Sequence, residues 1–146
     1  VTGVQTCALP IFRIGAAFGA AAIVLGPGSA DPFSRRVLRV SMGNGLFLPI
    51  VQASDLTAQL MELQQAHAMQ LCLTLLDPTA QPLHQHPFAP RTVLVFGNEY
   101  DGISSVVQQL PGPRLTIPML NSTDSLNVAV SAGIFLHQYR SLIPAG

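Results

Sequence analysis

Lysine is absent from this sequence: all seven basic residues are arginine, and seven acidic residues balance them to a net charge of zero. Arginine suits phosphate contacts through its planar fork of donors, but a neutral chain has no broad electrostatic attraction for nucleic acid. Charged residues of either sign make up only 10% of the chain. Cysteine is nearly absent too. Cys7 and Cys72 stand in no metal or redox spacing, which excludes a disulfide framework and makes a reducing cytosol the default compartment. No apolar run is long enough to span a bilayer, since the longest, Ile14 to Leu25, is short and broken by glycine. A membrane segment is therefore not expected.

Hydrophobic residues make up 49% of the 146. That composition excludes a disordered chain. It supplies one sizeable core and implies further buried surface of the kind a subunit interface provides. The first eleven residues, VTGVQTCALPI, read as the translation of a sequencing-library adapter. On that reading residues 1–11 are a non-native segment to be set aside from fold reasoning, and residues 12–146 form the domain.

Strand and helix signals alternate along the rest. Ala20–Leu25 is an apolar run closed by Gly26-Pro27-Gly28, as a buried strand ending in a loop would be. Asp31-Pro32 opens a helix over Phe33–Met42 that carries Arg35, Arg36 and Arg39. Leu46–Val51, interrupted by Pro49, suits an edge strand. Ser54 or Asp55 caps a helix in which Leu56, Leu60 and Leu63 share a face. Met69–Leu76 and Val93–Phe96 read as strands, and the proline-rich stretch Asp77–Pro90 between them as a loop. Ile103–Leu110 is a short helix, Leu115–Ile117 a short strand, and Ser125–Tyr139 the last helix. The alternation predicts a single α/β domain with a mostly parallel sheet flanked by helices. The last helix is apolar nearly all round, where a surface helix would show a polar face. It is expected to lie between its own sheet and a second subunit, or at the centre of a monomer.

Ligands of α/β folds bind beyond the carboxyl ends of strands, so the residues there are the candidates. Gly97-Asn98-Glu99 follows one strand, and Ile117-Pro118-Met119 ends the next. The polar run Asn121 to Asn127 then enters the apolar helix. Taken singly, a glycine after a strand serves a turn, and Ser122, Thr123 or Asp124 serve as helix caps. Nothing here matches a dinucleotide-binding glycine pattern. Ser104 and Ser105 have no paired histidine motif to support hydrolysis. His84-Gln85-His86 is expected to be a solvent loop rather than a metal site, because no cysteine or carboxylate joins the two histidines. Cys72, inside an apolar strand, is expected to behave as a small buried hydrophobe. Arg35, Arg36 and Arg39 suit RNA phosphate or a solvated helix face equally well.

In combination these segments resemble a known family. FGNEYDGIS (Phe96–Ser104), IPM (Ile117–Met119) and SLNVAVSAGI (Ser125–Ile134) are similar, in order and spacing, to the second and third motifs of SpoU/TrmH RNA ribose 2′-O-methyltransferases. RIGAAFGAAAIVLGPGSADPFSRRVLRVSMG (Arg13–Gly43) is similar to the end of the first motif and the segment after it. The resemblance runs from about Phe12 to Tyr139. It implies a SPOUT fold with a C-terminal trefoil knot, S-adenosyl-L-methionine as cofactor, tRNA or rRNA as substrate, a homodimer formed through the C-terminal helix, and no metal. By the same resemblance Gly97, Ile117 and Leu126 hold the adenosyl group through their backbone. Phe96, Asn98, Met119, Ser125 and Asn127 line or brace the same pocket, with Asn127 also close to the chemistry. Glu99 matches the acid of the second motif near the reaction centre, and Arg13 the arginine of the first.

The implied reaction moves a methyl group from a sulfonium to a ribose 2′-hydroxyl. The hydroxyl must lose its proton, or its developing negative charge must be stabilised. Arginine keeps its proton in proteins, so stabilising the oxyanion and positioning phosphate suit Arg13 better than acting as a base. The chain departs from the family on this side of the site. Cys7 and Leu9 stand where the first motif has asparagine and glycine, and Ile14-Gly15 where it has a Thr-Ala pair. The chain is therefore expected to bind the cofactor but to transfer methyl groups poorly, which leaves a catalytically impaired cofactor- or RNA-binding module as the alternative reading.

Overall fold

The computed structural model describes residues 2–27, 29, 48–98, 101–120, 123 and 125–144, with backbone only for residues 2–9. The predicted helix over Phe33–Met42, with its three arginines, lies outside the described residues, as do Glu99, Ser122 and Asp124. The chain divides into two compact units, Val1–Leu56 and Thr57–Gly146.

In the first unit, helix α1 (Thr2–Ala17) takes in most of the adapter-like stretch. Strands β1 (Ile23–Leu25) and β2 (Ile50–Gln52) pair in parallel, with Ile23 opposite Ile50 and Leu25 opposite Gln52. Phe12 is fully buried against Ile23, Leu25 and Ile50, so one aromatic ring closes this small core. The expected strand Ala20–Leu25 is confirmed in its last three residues only. Gly19 ends the helical turn before it with a positive φ of 67°.

The second unit takes in all but the first residue of α2 (Leu56–Gln65), where Leu60 is the buried member of the predicted face. Strands β3 (Gln70–Thr74), β4 (Gln81–Pro82), β5 (Thr92–Val95) and β6 (Arg114–Thr116) form one sheet in the order β4-β6-β3-β5, every pairing parallel. Leu71, Cys72 and Leu73 of β3 are at most 1% exposed. A run of three buried residues means that both faces of this central strand are covered, the usual reason a parallel strand reads as continuously apolar. The register sets Cys72 beside Leu94 and Leu73 beside Val95.

Helix α3 (Ser105–Gln108) is shorter than the predicted Ile103–Leu110; Ser104 caps it, its hydroxyl accepting from Val107 N–H. Helix α4 (Val128–Leu142) begins three residues later than predicted. The cap is Asn127, whose Oδ1 accepts from Ala129 N–H at 2.8 Å, and not Thr123, the one candidate of the three among the described residues. An asparagine in this position satisfies one of the orphan donors of the first turn, which leaves Ser125 and Leu126 as non-helical chain. Phe135 of α4 packs with Cys72, Leu83, Phe88 and Leu115 over one sheet face. Burying a side chain of this size stabilises by about 1.5–3 kcal/mol. The Tyr139 hydroxyl donates to the Pro90 carbonyl at 2.6 Å, fastening the helix to the segment before β5. The other side of α4 carries Val130, Ile134 and Leu142, which are exposed.

Two expectations for the Asp77–Pro90 stretch need correction. It is not loop throughout, because Gln81-Pro82 adds an edge strand to β6 and Leu83–Gln85 makes a 3-10 turn. Nor are both histidines in solvent. His84 is exposed, whereas His86 is 6% exposed. The His86 ring stacks edge-on against Phe88 at 4.8 Å. Its Nδ1 lies 3.2 Å from Gln81 Oε1 and its Nε2 3.4 Å from Gln70 Oε1. Gln70 Oε1 also accepts from Ala89 N–H, so one side chain ties β3 to the loop. Burial holds the His86 imidazole below the usual histidine range. Cys72 is the small buried hydrophobe expected, with burial pushing its thiol up to about 12.

Candidate functional site

Three strand ends meet at one edge of the second unit's sheet. Because β3, β5 and β6 are parallel neighbours, their carboxyl ends point the same way. The chain passes from β5 on one side of β3 to β6 on the other. Such a reversal of strand order leaves a crevice into which ligands of open α/β sheets bind. A cleft of about 430 Å³ occupies this edge, within the usual size range for small-molecule sites.

All eight residues expected to bind cofactor line this cleft: Phe96, Gly97, Asn98, Ile117, Met119, Ser125, Leu126 and Asn127. Phe96 and Ile117 continue directly from β5 and β6. Ser125 to Asn127 are held there because the Asn127 cap delays the start of α4. Phe135 reaches the cleft from two helical turns further on and meets Phe96 edge-to-face at 5.7 Å. The result is an apolar wall with polar groups at its margins, the construction that a flat heteroaromatic ring with a few hydrogen-bonding edges requires.

Gly97 shows why this position takes glycine. A Cβ there would overlap the backbone of Gly102 and Ile103, far inside contact distance. The close approach exists because Asn98 and Gly102 pair across the chain, Asn98 N–H donating to the Gly102 carbonyl at 3.2 Å and Gly102 N–H to the Asn98 carbonyl at 3.1 Å. Asn98 Oδ1 accepts from Asp101 N–H as well. Gly102 sits at φ +65°, a left-handed conformation that glycine adopts without steric cost. The strand-end turn is thus tied on itself and presents Asp101 and Gly102 to the cleft.

Of the three residues expected to carry catalysis, Asn127 is in the cleft and also serves as the α4 cap. Arg13 is exposed on α1 in the first unit. Glu99 lies outside the described residues.

Sequence reasoning missed the contribution of β3. Thr74, Leu75 and Leu76 line the cleft, and the Thr74 hydroxyl donates to the Val95 carbonyl at 2.9 Å, bridging two strand ends. The strand-end rule applied to Met69–Leu76 would have found them. Gln108 and Ser131 were missed for a different reason, since both reach the cleft from helices rather than strand ends. Gln108 Nε2 donates to the Ile103 carbonyl at 2.7 Å and so braces the same turn. Among the described residues no group of three or more histidine, cysteine, aspartate or glutamate side chains is placed to hold a metal.

The sequence matches the SpoU rRNA Methylase family over residues 10–137. A tRNA/rRNA methyltransferase of Mycobacterium tuberculosis, itself uncharacterized, is 35% identical over 135 residues, which cover 88% of this chain and 45% of that protein. The 23S rRNA (guanosine(2553)-2′-O)-methyltransferase of Bacillus subtilis is 32% identical over 130 residues, covering 89% of this chain and 51% of that protein. Among solved structures, an RNA methyltransferase of the TrmH family from Porphyromonas gingivalis superposes with a TM-score of 0.84 at 31% identity, covering 95% of this chain and 57% of that one. The SpoU methyltransferase AviRb from Streptomyces viridochromogenes, in complex with AdoMet, superposes with a TM-score of 0.79 at 27% identity, over 89% of this chain and 53% of that one. The chain spans about half the length of the curated relatives it matches.

Proposed function

The chain belongs to the SpoU rRNA methylase family, and from that premise we propose that it is the catalytic domain of an S-adenosyl-L-methionine-dependent RNA ribose 2′-O-methyltransferase acting on tRNA or rRNA in the cytoplasm. The observation that carries the proposal is the convergence of all eight expected cofactor-binding residues on one cleft at the sheet's carboxyl edge. The apolar wall of Phe96, Ile117, Leu126 and Phe135 fits the adenine and ribose, and Ser125, Asn127 and Asn98 supply hydrogen-bonding groups at its margin. Bound there, the cofactor supplies a methyl group on a sulfonium sulfur. An RNA ribose 2′-hydroxyl held at the same cleft would be the acceptor of that methyl group, and its proton would leave to solvent or a basic group. Arg13 is assigned to stabilising the oxyanion and a neighbouring phosphate, and Glu99 and Asn127 to orienting the ribose.

The proposal includes two features of whole-molecule organisation. The C-terminal segment closes the trefoil knot of the SPOUT fold. The domain works as a homodimer through α4, whose exposed Val130, Ile134 and Leu142 form an apolar stripe suited to a second copy.

A second reading, a module that binds cofactor or RNA without turnover, is favoured by one specific observation: Cys7 stands where the family's first motif has asparagine. One experiment separates the two. The purified chain is given tritiated S-adenosyl-L-methionine with unmodified tRNA and rRNA, alongside a Cys7→Asn, Leu9→Gly variant. Transfer by both supports the enzyme, and transfer by the variant alone supports an impaired module. Absence of cofactor binding in calorimetry by either protein would overturn both readings.

A further inference from the structure

Charge is scarce among the described residues that line the proposed cofactor cleft. Asp101 is the one charged residue among the described residues that line it. The others are apolar or neutral, with no arginine, lysine or histidine among them. Asp101 is also exposed, so it belongs to the cleft's rim rather than its apolar wall. Its backbone is fixed on both sides: its N–H donates to Asn98 Oδ1 at 2.6 Å, and the following Gly102 is pinned to Asn98 by two backbone hydrogen bonds. A carboxylate held by a tied turn at the mouth of this cleft imposes a negative potential on whatever enters.

The two forms of the cofactor differ in charge by one unit. S-adenosyl-L-methionine carries a sulfonium, an ammonium and a carboxylate, and is a net monocation. S-adenosyl-L-homocysteine, left after methyl transfer, has a neutral thioether in place of the sulfonium and no net charge. An interaction that is electrostatic and not steric separates the two forms by this charge alone.

We infer that Asp101 is a specificity-determining residue that makes the cleft prefer the cationic, methyl-bearing cofactor over its neutral demethylated product. The inference rests on the cofactor assignment proposed above and adds a direction to it. The carboxylate favours loading of fresh cofactor and gives the neutral spent form no comparable attraction. Because the residue is exposed, the effect is modest and screened by salt.

Calorimetry on the full chain tests this, with S-adenosyl-L-methionine, S-adenosyl-L-homocysteine and sinefungin as ligands. Sinefungin bears an amine-substituted carbon in place of the sulfur, so it supplies the positive charge without a transferable methyl group. Asp101→Asn is expected to weaken binding of both cations about three- to tenfold and to change binding of the neutral product less than twofold, the scale of one charge pair in water-like surroundings. Asp101→Glu is expected to restore the preference. Raising the salt concentration into the molar range is expected to narrow the preference more in the unsubstituted chain than in Asp101→Asn. If the unsubstituted chain binds the ligands and Asp101→Asn leaves the cation-to-neutral ratio unchanged, the inference fails while the cofactor assignment stands. If the unsubstituted chain binds none of the three, the cofactor assignment fails and takes the inference with it.

Discussion

At the scale of single residues, Gly97 and His86 show two ways in which a side chain, or its absence, is dictated by surroundings far along the chain or just beyond it. The space for a Cβ at Gly97 is taken by Gly102 and Ile103, so Gly97→Ala forces the turn open. Overpacking of this kind costs about 1–3 kcal/mol. The expected outcome is a lower urea midpoint together with a loss of calorimetric S-adenosyl-L-methionine binding greater than the stability change explains. A variant that binds normally would show that the turn adapts freely. His86 predicts a pH effect. Burial lowers its pKa in the folded chain relative to the usual 6.5, so the unfolded chain takes up the proton first as pH falls. The contribution of neutral His86 to stability is therefore complete above about pH 6.5 and is lost as pH falls below that value toward the folded pKa. Urea denaturation at pH 7.5 and pH 5.0 is expected to show a larger loss for the unsubstituted chain than for His86→Gln, and parallel losses would contradict it. Gly97 was legible as a candidate because it follows a strand. The burial of His86 was not, because its partner Gln70 is sixteen residues away and lies on β3.

At the scale of elements, the start of α4 decides the shape of the cleft. Had the helix begun at Ser125, as its apolar pattern suggested, Ser125 and Leu126 would be wound into its first turn. Asn127 prevents this by capping Ala129 N–H. Asn127→Ala is expected to cost about 1 kcal/mol, the usual worth of such a cap, read as a reduced urea midpoint. Asn127→Asp retains the cap and is expected to recover most of that stability. If both variants were equally unstable, the side chain would matter for some reason other than capping. Periodicity identifies helical residues but not which of several polar residues caps them, because Ser122, Thr123, Asp124, Ser125 and Asn127 are all competent by type. The same limit hid β4. Two residues, one of them proline, carry no periodic signal, and only the edge of β6 makes them a strand.

At the scale of the whole molecule, the exposed face of α4 bears on assembly. Val130, Ile134 and Leu142 are 52%, 37% and 47% exposed, and their spacing by four and eight residues sets them along one side of the helix. In the proposed homodimer these residues are covered. Val130→Asp combined with Ile134→Asp is expected to convert a dimer into a monomer in sedimentation velocity. A chain that sediments as a monomer before substitution would refute the assembly. The sequence by itself determined the alternation of strands and helices, the strand-end positions of the candidate residues and, through the spacing of three motifs, the family. These are local properties: periodicity, turn chemistry and order along the chain survive without knowledge of what packs on what. Only the tertiary structure decided that β5 and β6 flank β3, that Thr74 to Leu76 therefore join the cleft, and that Asp101 is the charged residue among its described lining. Those facts arise from parallel pairing between segments distant in sequence, and the order in which such strands lie side by side is written in no one segment.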